Sequence, residues 1–137
     1  ELYDKHRHYT PANIKAACSI LDACISHIYH QRMLEVRSLD TAQQIEKYIN
    51  DNIAWDLSIE HLCAHFSISR AELYQLFHTN FNASVADYIR SKRIAMAEQL
   101  IRTTSMQISE IAANVGFFDY NYFSKVFHRK FGVSPRE

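Results

Sequence analysis

The sequence predicts an all-α protein: two helix-turn-helix subdomains joined by a long central helix, with an additional N-terminal amphipathic helix. Three observations carry this. The stretch from Ile59 to Ser84 recurs as Ile108 to Ser134, with an apolar-patterned helix, a tight turn and a second helix in the same order in both copies. Leu73, Leu76, Phe77, His78, Phe81 and Ser84 match Phe123, Val126, Phe127, His128, Phe131 and Ser134; upstream of a single inserted residue, Ile59, Ala64, Phe66, Ser67 and Ile68 match Ile108, Ala113, Val115, Gly116 and Phe117. With only two glycines and two prolines and little β-branched alternation, the chain favours helices over strands. Apolar and aromatic residues make up 47% of it, enough to bury a core.

Taken in order, Pro11 suits a first helical turn, and Ile14, Ala17, Cys18, Leu21, Cys24, Ile25 and Ile28 follow at helical spacing. This stripe must meet something: a missing part of a longer parent protein, or the same helix in a second copy as a homodimer. Glu1, in place of an initiator methionine, reads as the start of a piece cut from a longer chain. From Glu35 to Asp40 the apolar pattern lapses, which marks a linker. The expected division is therefore 1–40, the last helix of a sensor or dimerisation region plus a linker, and 41–137, the twin-motif domain. Asp40 or Thr41 would cap a helix through Ile53, with Gln43 and Gln44 in capping-box positions and Ile45, Tyr48, Ile49 and Ile53 forming its apolar face.

Ser58 is the expected N-cap of a short helix to His65, with Glu60 favoured in its first turn and Leu62 buried beside Cys63 or Phe66. Ser69 and Glu72 form a capping box for the helix that follows, which closes the first helix-turn-helix, about 58–79. A long helix over 84–101 turns Val85, Tyr88, Ile89, Ala97, Leu100 and Ile101 inward and separates the two motifs. The second helix-turn-helix, about 107–131, comprises Ile108 to Asn114, a turn at Gly116, and a helix capped by Asp119 that stops before Gly132 and Pro135. Ala64 and Ala113 are the expected small residues where the second helix of each motif crosses the first. Gly116 suits the turn better than its counterpart Ser67.

Several function classes drop out. No segment has the length of a membrane span and no signal peptide is evident. Cys18, Cys24 and Cys63 are odd in number and spaced like neither a zinc knuckle nor a disulfide framework, so they read as small buried hydrophobes in a reducing, cytoplasmic setting. His61 and His65 share a helical face, but Leu62 stands where a metalloprotease motif has glutamate. Without converging carboxylates, a phosphate-binding glycine loop or a nucleophile elbow, no enzyme, metal site or cofactor is expected. Formal charge is zero, yet it is unevenly spread: residues 42–69 carry a balance of −3 and residues 87–136 a balance of +4, which makes the latter the better phosphate-facing half.

In each motif Ile68, Leu73 and Phe77, or Phe117, Phe123 and Phe127, would pin the second helix to the core and leave the residues between them facing outward. The segments LSIEHLCAHFSISRAELYQLFHTNF, YIRSKRIAMAEQLI and above all ISEIAANVGFFDYNYFSKVFHRKFGVSP make residues 42–136 resemble the DNA-binding domain of AraC/XylS-family transcription regulators. The resemblance implies that the second helix of each motif enters a major-groove segment of double-stranded DNA, the two lying about 34 Å apart. Carried over residue by residue, it implies DNA contacts from Arg70, Ala71, Tyr74, Gln75 and His78 in the first motif, with Glu72 a cap rather than a reader. In the second it implies contacts from Tyr120, Asn121, Tyr122, Ser124, Lys125, His128, Arg129 and Lys130. Gln75, Asn121 and Lys125 have base-edge chemistry, Ala71 suits a thymine methyl, and Arg70, His78, His128, Arg129 and Lys130 suit phosphates. The family also implies an effector-responsive activator that contacts RNA polymerase. The alternative is a helical protein-protein interaction or dimerisation module without DNA affinity.

Overall fold

The computed structural model describes residues 11–136, apart from the side chains of residues 11 and 13; residues 1–10 of the expected first domain lie outside the described part. Six helices and no strand occur among the described residues: α1 (Pro11–Asp51), α2 (Ile59–Phe66), α3 (Arg70–Phe81), α4 (Val85–Thr103), α5 (Ile108–Asn114) and α6 (Tyr120–Phe131). They fall into two compact units, one up to Ser38 and one from Leu39 onward.

The expected linker is helical. α1 runs unbroken through residues 35–40, neither Asp40 nor Thr41 caps a new helix, and Asp40 Oδ2 instead accepts a 3.0 Å bond from Gln44 Nε2 inside the helix. Glu35–Asp40 holds no glycine or proline, so nothing there stops the helix; a lapse in apolar periodicity marks the end of an apolar face, not of the helix. In the first unit the apolar residues of α1 lie open, with Ile14, Leu21, Ile25 and Ile28 all at least half exposed. Cys18 and Cys24 are exposed as well, contrary to the expectation of burial, because the stripe that carries them has no described neighbour to cover it; Cys63 is half-buried.

The second unit has two cores that share no buried residue. Ile45, Ile49, Ile53 and Leu57 meet Leu62, Leu73 and Phe77 in the first, and Val85 and Ile89 of α4 complete it. Ile94 and Ala97 of α4 begin the second and pack on Ile111, Ala112, Val115, Phe117, Phe123, Val126 and Phe127. One helix therefore contributes its first half to one motif and its second half to the other. Glu46 ties α1 to α4, its Oε1 accepting from Tyr88 Oη at 2.6 Å and Lys92 Nζ at 2.8 Å. The Lys92 hydrogen bond, helped by Tyr88, holds the Glu46 carboxyl below its ordinary value, while burial leads the causes that raise Tyr88.

Local chemistry places the helix starts where expected. Ser58, Ser69 and Ser84 accept from the amides of His61, Glu72 and Asp87, and Asp119 from those of Asn121 and Tyr122. Both turns close on the same bond, Ile68 N–H donating to the Cys63 carbonyl at 3.1 Å and Phe117 N–H to that of Ala112 at 2.9 Å. The small crossing residue sits one position earlier than expected: Ala64 and Ala113 are exposed, whereas Ala112 is buried and its counterpart Cys63 half-buried. Ile108, Ile111, Ala112 and Val115 follow i, i+3, i+4, i+7, and one further residue turns Ala113 about 100° toward solvent.

Candidate nucleic-acid interface

α3 is seated by Leu73 and Phe77, α6 by Phe123, Val126 and Phe127. Anchoring these inward positions fixes which side chains each helix shows to solvent. On α3, Arg70, Ala71, Tyr74, Gln75 and His78 are all exposed. Tyr74, Gln75 and His78 make no side-chain hydrogen bond or ion pair among the described residues, whereas Arg70 pairs with Glu60 at 2.5 Å. Both partners of that pair are 64% exposed, so it is weak enough to give way to a phosphate. Glu72 acts as the cap: its Oε2 accepts from Ser69 N–H at 2.7 Å and Ser69 Oγ at 2.8 Å, and the Ser69 backbone bond leads the causes that lower its carboxyl below the ordinary value.

On α6, Asn121, Tyr122, Lys125, His128, Arg129 and Lys130 are exposed and Ser124 is half-buried. Tyr120, expected to face outward, is half-buried: it packs against the second core, its ring 6.3 Å from that of Phe123 and covered by Arg136 at 5.9 Å. The first helical position is drawn inward because the apolar ring finds more cover there than beside the outward face. Lys130 turns back to α4, where its Nζ donates to Ser91 Oγ at 3.2 Å and to the Ser91 carbonyl at 3.3 Å.

Most cations of residues 87–136 are engaged inside the protein, although only Lys92 reaches a carboxylate outside that stretch and so draws on its +4 balance. Arg90 pairs with Asp87, Lys92 with Glu46 and Arg102 with Glu98. Lys125 and Arg129 keep cationic side chains without a hydrogen-bond or ion-pair partner among the described residues, and both lie on α6. Arg136 has no such bond either, but it lies beyond α6 and over the Tyr120 ring, and a count of charges in the sequence cannot separate the cations of α6 from the rest.

Two residues stand out that the sequence did not mark. Phe118 accounts for the single insertion between the copies: Ile68 and Phe117 occupy matching core positions, Ser69 and Asp119 are the matching caps, and Phe118 lies between, 99% exposed at the threshold of α6. Arg93, a half-buried residue between Ile89 of the first core and Ile94 of the second, donates from Nε to the Ile53 carbonyl at 3.0 Å, from one terminal nitrogen to that of Gly116 at 3.0 Å and from the other to that of Trp55 at 2.9 Å. Its only sequence signal is a cation at the seam between two apolar faces. His61 and His65 stack with Tyr48, whose Oη lies 2.8 Å from His61 Nε2. No helix among the described residues is long and apolar enough to cross a membrane.

A duplicated helix-turn-helix on a shared helix defines a DNA-binding protein of the two-motif class. Residues 62–137 match the family described as "Helix-turn-helix domain". Over 97 residues the chain is 38% identical to the HTH-type transcriptional activator RhaR of Cronobacter sakazakii, covering 71% of this chain and 34% of the relative. It is 37% identical over 92 residues to the arabinose operon regulatory protein of Escherichia coli, covering 66% of this chain and 32% of that protein. A crystal structure of an AraC-type transcriptional regulator from Chromobacterium violaceum superposes with a TM-score of 0.68 at 26% identity, over 74% of this chain and 90% of that one. The chain belongs to the AraC family of DNA-binding transcription regulators. It spans about a third of the length of the curated relatives it matches.

Proposed function

We propose that this chain recognises specific duplex DNA by seating α3 and α6 in neighbouring major-groove segments, as the DNA-binding part of a cytoplasmic, effector-responsive activator that works by recruitment rather than by bond chemistry. The observation that carries the reading is the pairing of two anchored helices that each keep uncommitted polar side chains on the outward face. Gln75 on α3 and Lys125 on α6, at matching positions, face solvent without internal partners. Ala71, Tyr74, Gln75, Asn121, Tyr122 and Lys125 are the candidates for base edges. Arg70, His78, His128 and Arg129 suit phosphates, and Lys130 joins them on leaving Ser91. Tyr120 and Ser124 contribute from the half-buried side of α6.

Activation is supported by the name of the Cronobacter relative, and it implies contact with RNA polymerase. For α1 we propose a second copy of the chain as partner. Ile14, Cys18, Leu21, Ile25 and Ile28 repeat at alternating spacings of four and three, the seam of a two-stranded coiled coil, and a lone amphipathic helix is marginal in water. The effector would act through the region that this helix joins.

Selection of duplexes from a random pool, followed by titration of the chain against the winning sequence at several salt concentrations, tests the DNA reading. Specific binding whose affinity falls steeply with salt is expected. Failure to bind any duplex at low salt would leave the protein-interaction module in its place. Sedimentation equilibrium of the chain and of Ile25→Asp tests the partner of α1: a dimer dissociated by the substitution is expected, and a monomeric wild type rejects it.

A further inference from the structure

We infer that Arg93 is a positioning residue that holds the two helix-turn-helix motifs at a fixed separation and twist, so that the protein measures the spacing between two half-sites; this rests on the DNA reading above. Each motif is built on its own core and α4 is common to both, the first anchored by Val85 and Ile89 and the second by Ile94 and Ala97. Because the two cores share no buried residue, the cores alone do not prevent one motif from rocking against the other. Arg93 sits between the two sets of anchors, and its planar fork reaches carbonyls on both sides: Ile53 and Trp55, which lead into the first motif, and Gly116 in the turn of the second. Charge-assisted bonds in three directions from one rigid group oppose that rocking.

The fit is close. A Cβ added at Gly116 would lie 2.8 Å from Arg93 Cζ, so the second turn has been left without a side chain where the guanidinium rests. Lysine, a single ammonium on a flexible stem, cannot reproduce the three-way bridge. Spacing is the property that this bridge should control, because one added base pair rotates one half-site by roughly 34° and moves it by roughly 3.4 Å relative to the other.

The test uses the full chain and a duplex selected from a random pool, with companion duplexes that carry one half-site alone or one extra base pair between the half-sites. For the wild type, the extra base pair should weaken binding about tenfold or more, since two linked contacts give up their avidity when geometry forbids both. Arg93→Ala should bind the half-site within about twofold of wild type, bind the full site about tenfold more weakly, and lose most of the penalty for the extra base pair. Arg93→Lys should fall between. A second readout needs no DNA: spin labels at positions 75 and 125, in a chain carrying Cys18→Ser, Cys24→Ser and Cys63→Ala, should give a narrow distance distribution that broadens on Arg93→Ala. An unchanged distribution together with an undiminished spacing penalty overturns the inference. So does an equal loss of half-site and full-site binding, which would make Arg93 a support of the fold alone. If the wild type binds no duplex, the DNA reading fails while the label distances still decide whether Arg93 fixes the motifs.

Discussion

In the first motif the left-handed backbone positions are filled by Ser67 at φ 53° and Asn82 at φ 49°; in the second they are filled by Gly116 at φ 87° and Gly132 at φ 77°. The chain nonetheless follows the same path twice, with the same amide-to-carbonyl closure at Cys63 and Ala112. Glycine is thus not what makes the turn. Capping bonds and the apolar residue that follows, Ile68 or Phe117, set the path, and the left-handed residue must only tolerate it. Asparagine does so readily, and serine at a cost of about 1–2 kcal/mol. The second motif differs in a further respect, because its turn is buried against Arg93 while Ser67 is exposed.

The largest expected effect separates these two demands. Gly116→Ala combines left-handed strain with displacement of the Arg93 guanidinium from its carbonyls, and should lower stability by about 3 kcal/mol. Gly132→Ala meets the strain alone, since nothing lies within 4 Å of the added Cβ, and should lose about 1 kcal/mol. Urea denaturation of both variants measures the difference. Equal losses would show that the closeness of Arg93 imposes no constraint on the turn.

The motifs also differ in the charge they offer. Gln75 and Lys125 occupy equivalent positions, but only the second carries a cation. Lys125→Ala should weaken binding by about 1–3 kcal/mol if it bonds a base, and should reduce the salt slope by about one if it lies against a phosphate. Gln75→Ala should alter sequence preference on its own half-site with the salt slope unchanged. Arg129→Ala should lower the slope more than Lys130→Ala, because Lys130 is already held by Ser91. Identical slopes for Gln75→Ala and Lys125→Ala would remove the electrostatic distinction between the motifs.

What was legible in the sequence was local. Ser58, Ser69, Ser84 and Asp119 announce helix starts because each side chain bonds an amide two or three residues away, and Leu73, Phe77, Phe123 and Phe127 announce the inner face by spacing alone. The continuity of α1 was hidden because a lapse in apolar periodicity marks the end of an apolar face, and the helix runs on past it with no glycine or proline to stop it. The one-residue displacement from Ala113 to Ala112 was hidden because two adjacent alanines fit the pattern equally well until Ile111 and Val115 fix the phase. For the interface, outward exposure of Gln75, Asn121 and Lys125 followed from the inner face, but the inward lean of Tyr120 and the engagement of Lys130 depend on partners at Phe123, Arg136 and Ser91. Arg93 was the least legible, since its three acceptors are backbone carbonyls, which every residue carries and no side-chain pattern records.

The smallest expected effect returns to the first turn. Ser67 is exposed, its side chain has no hydrogen bond among the described residues, and its backbone lies in the left-handed well at ψ 42°. Ser67→Gly removes about 1–2 kcal/mol of steric strain but gives the unfolded chain more freedom, which takes back about 0.5–1 kcal/mol. A net gain of about 0.5 kcal/mol is expected, read as a higher urea midpoint with the slope of the transition unchanged. DNA affinity should not move, because the amide of Ile68 still closes on the Cys63 carbonyl and α3 keeps its Ser69 cap. A lower midpoint would mean that the serine does more than tolerate the turn. A stability gain accompanied by weaker binding would mean that a stiffer first motif is needed to present α3, which would move the source of rigidity from Arg93 toward the turn itself.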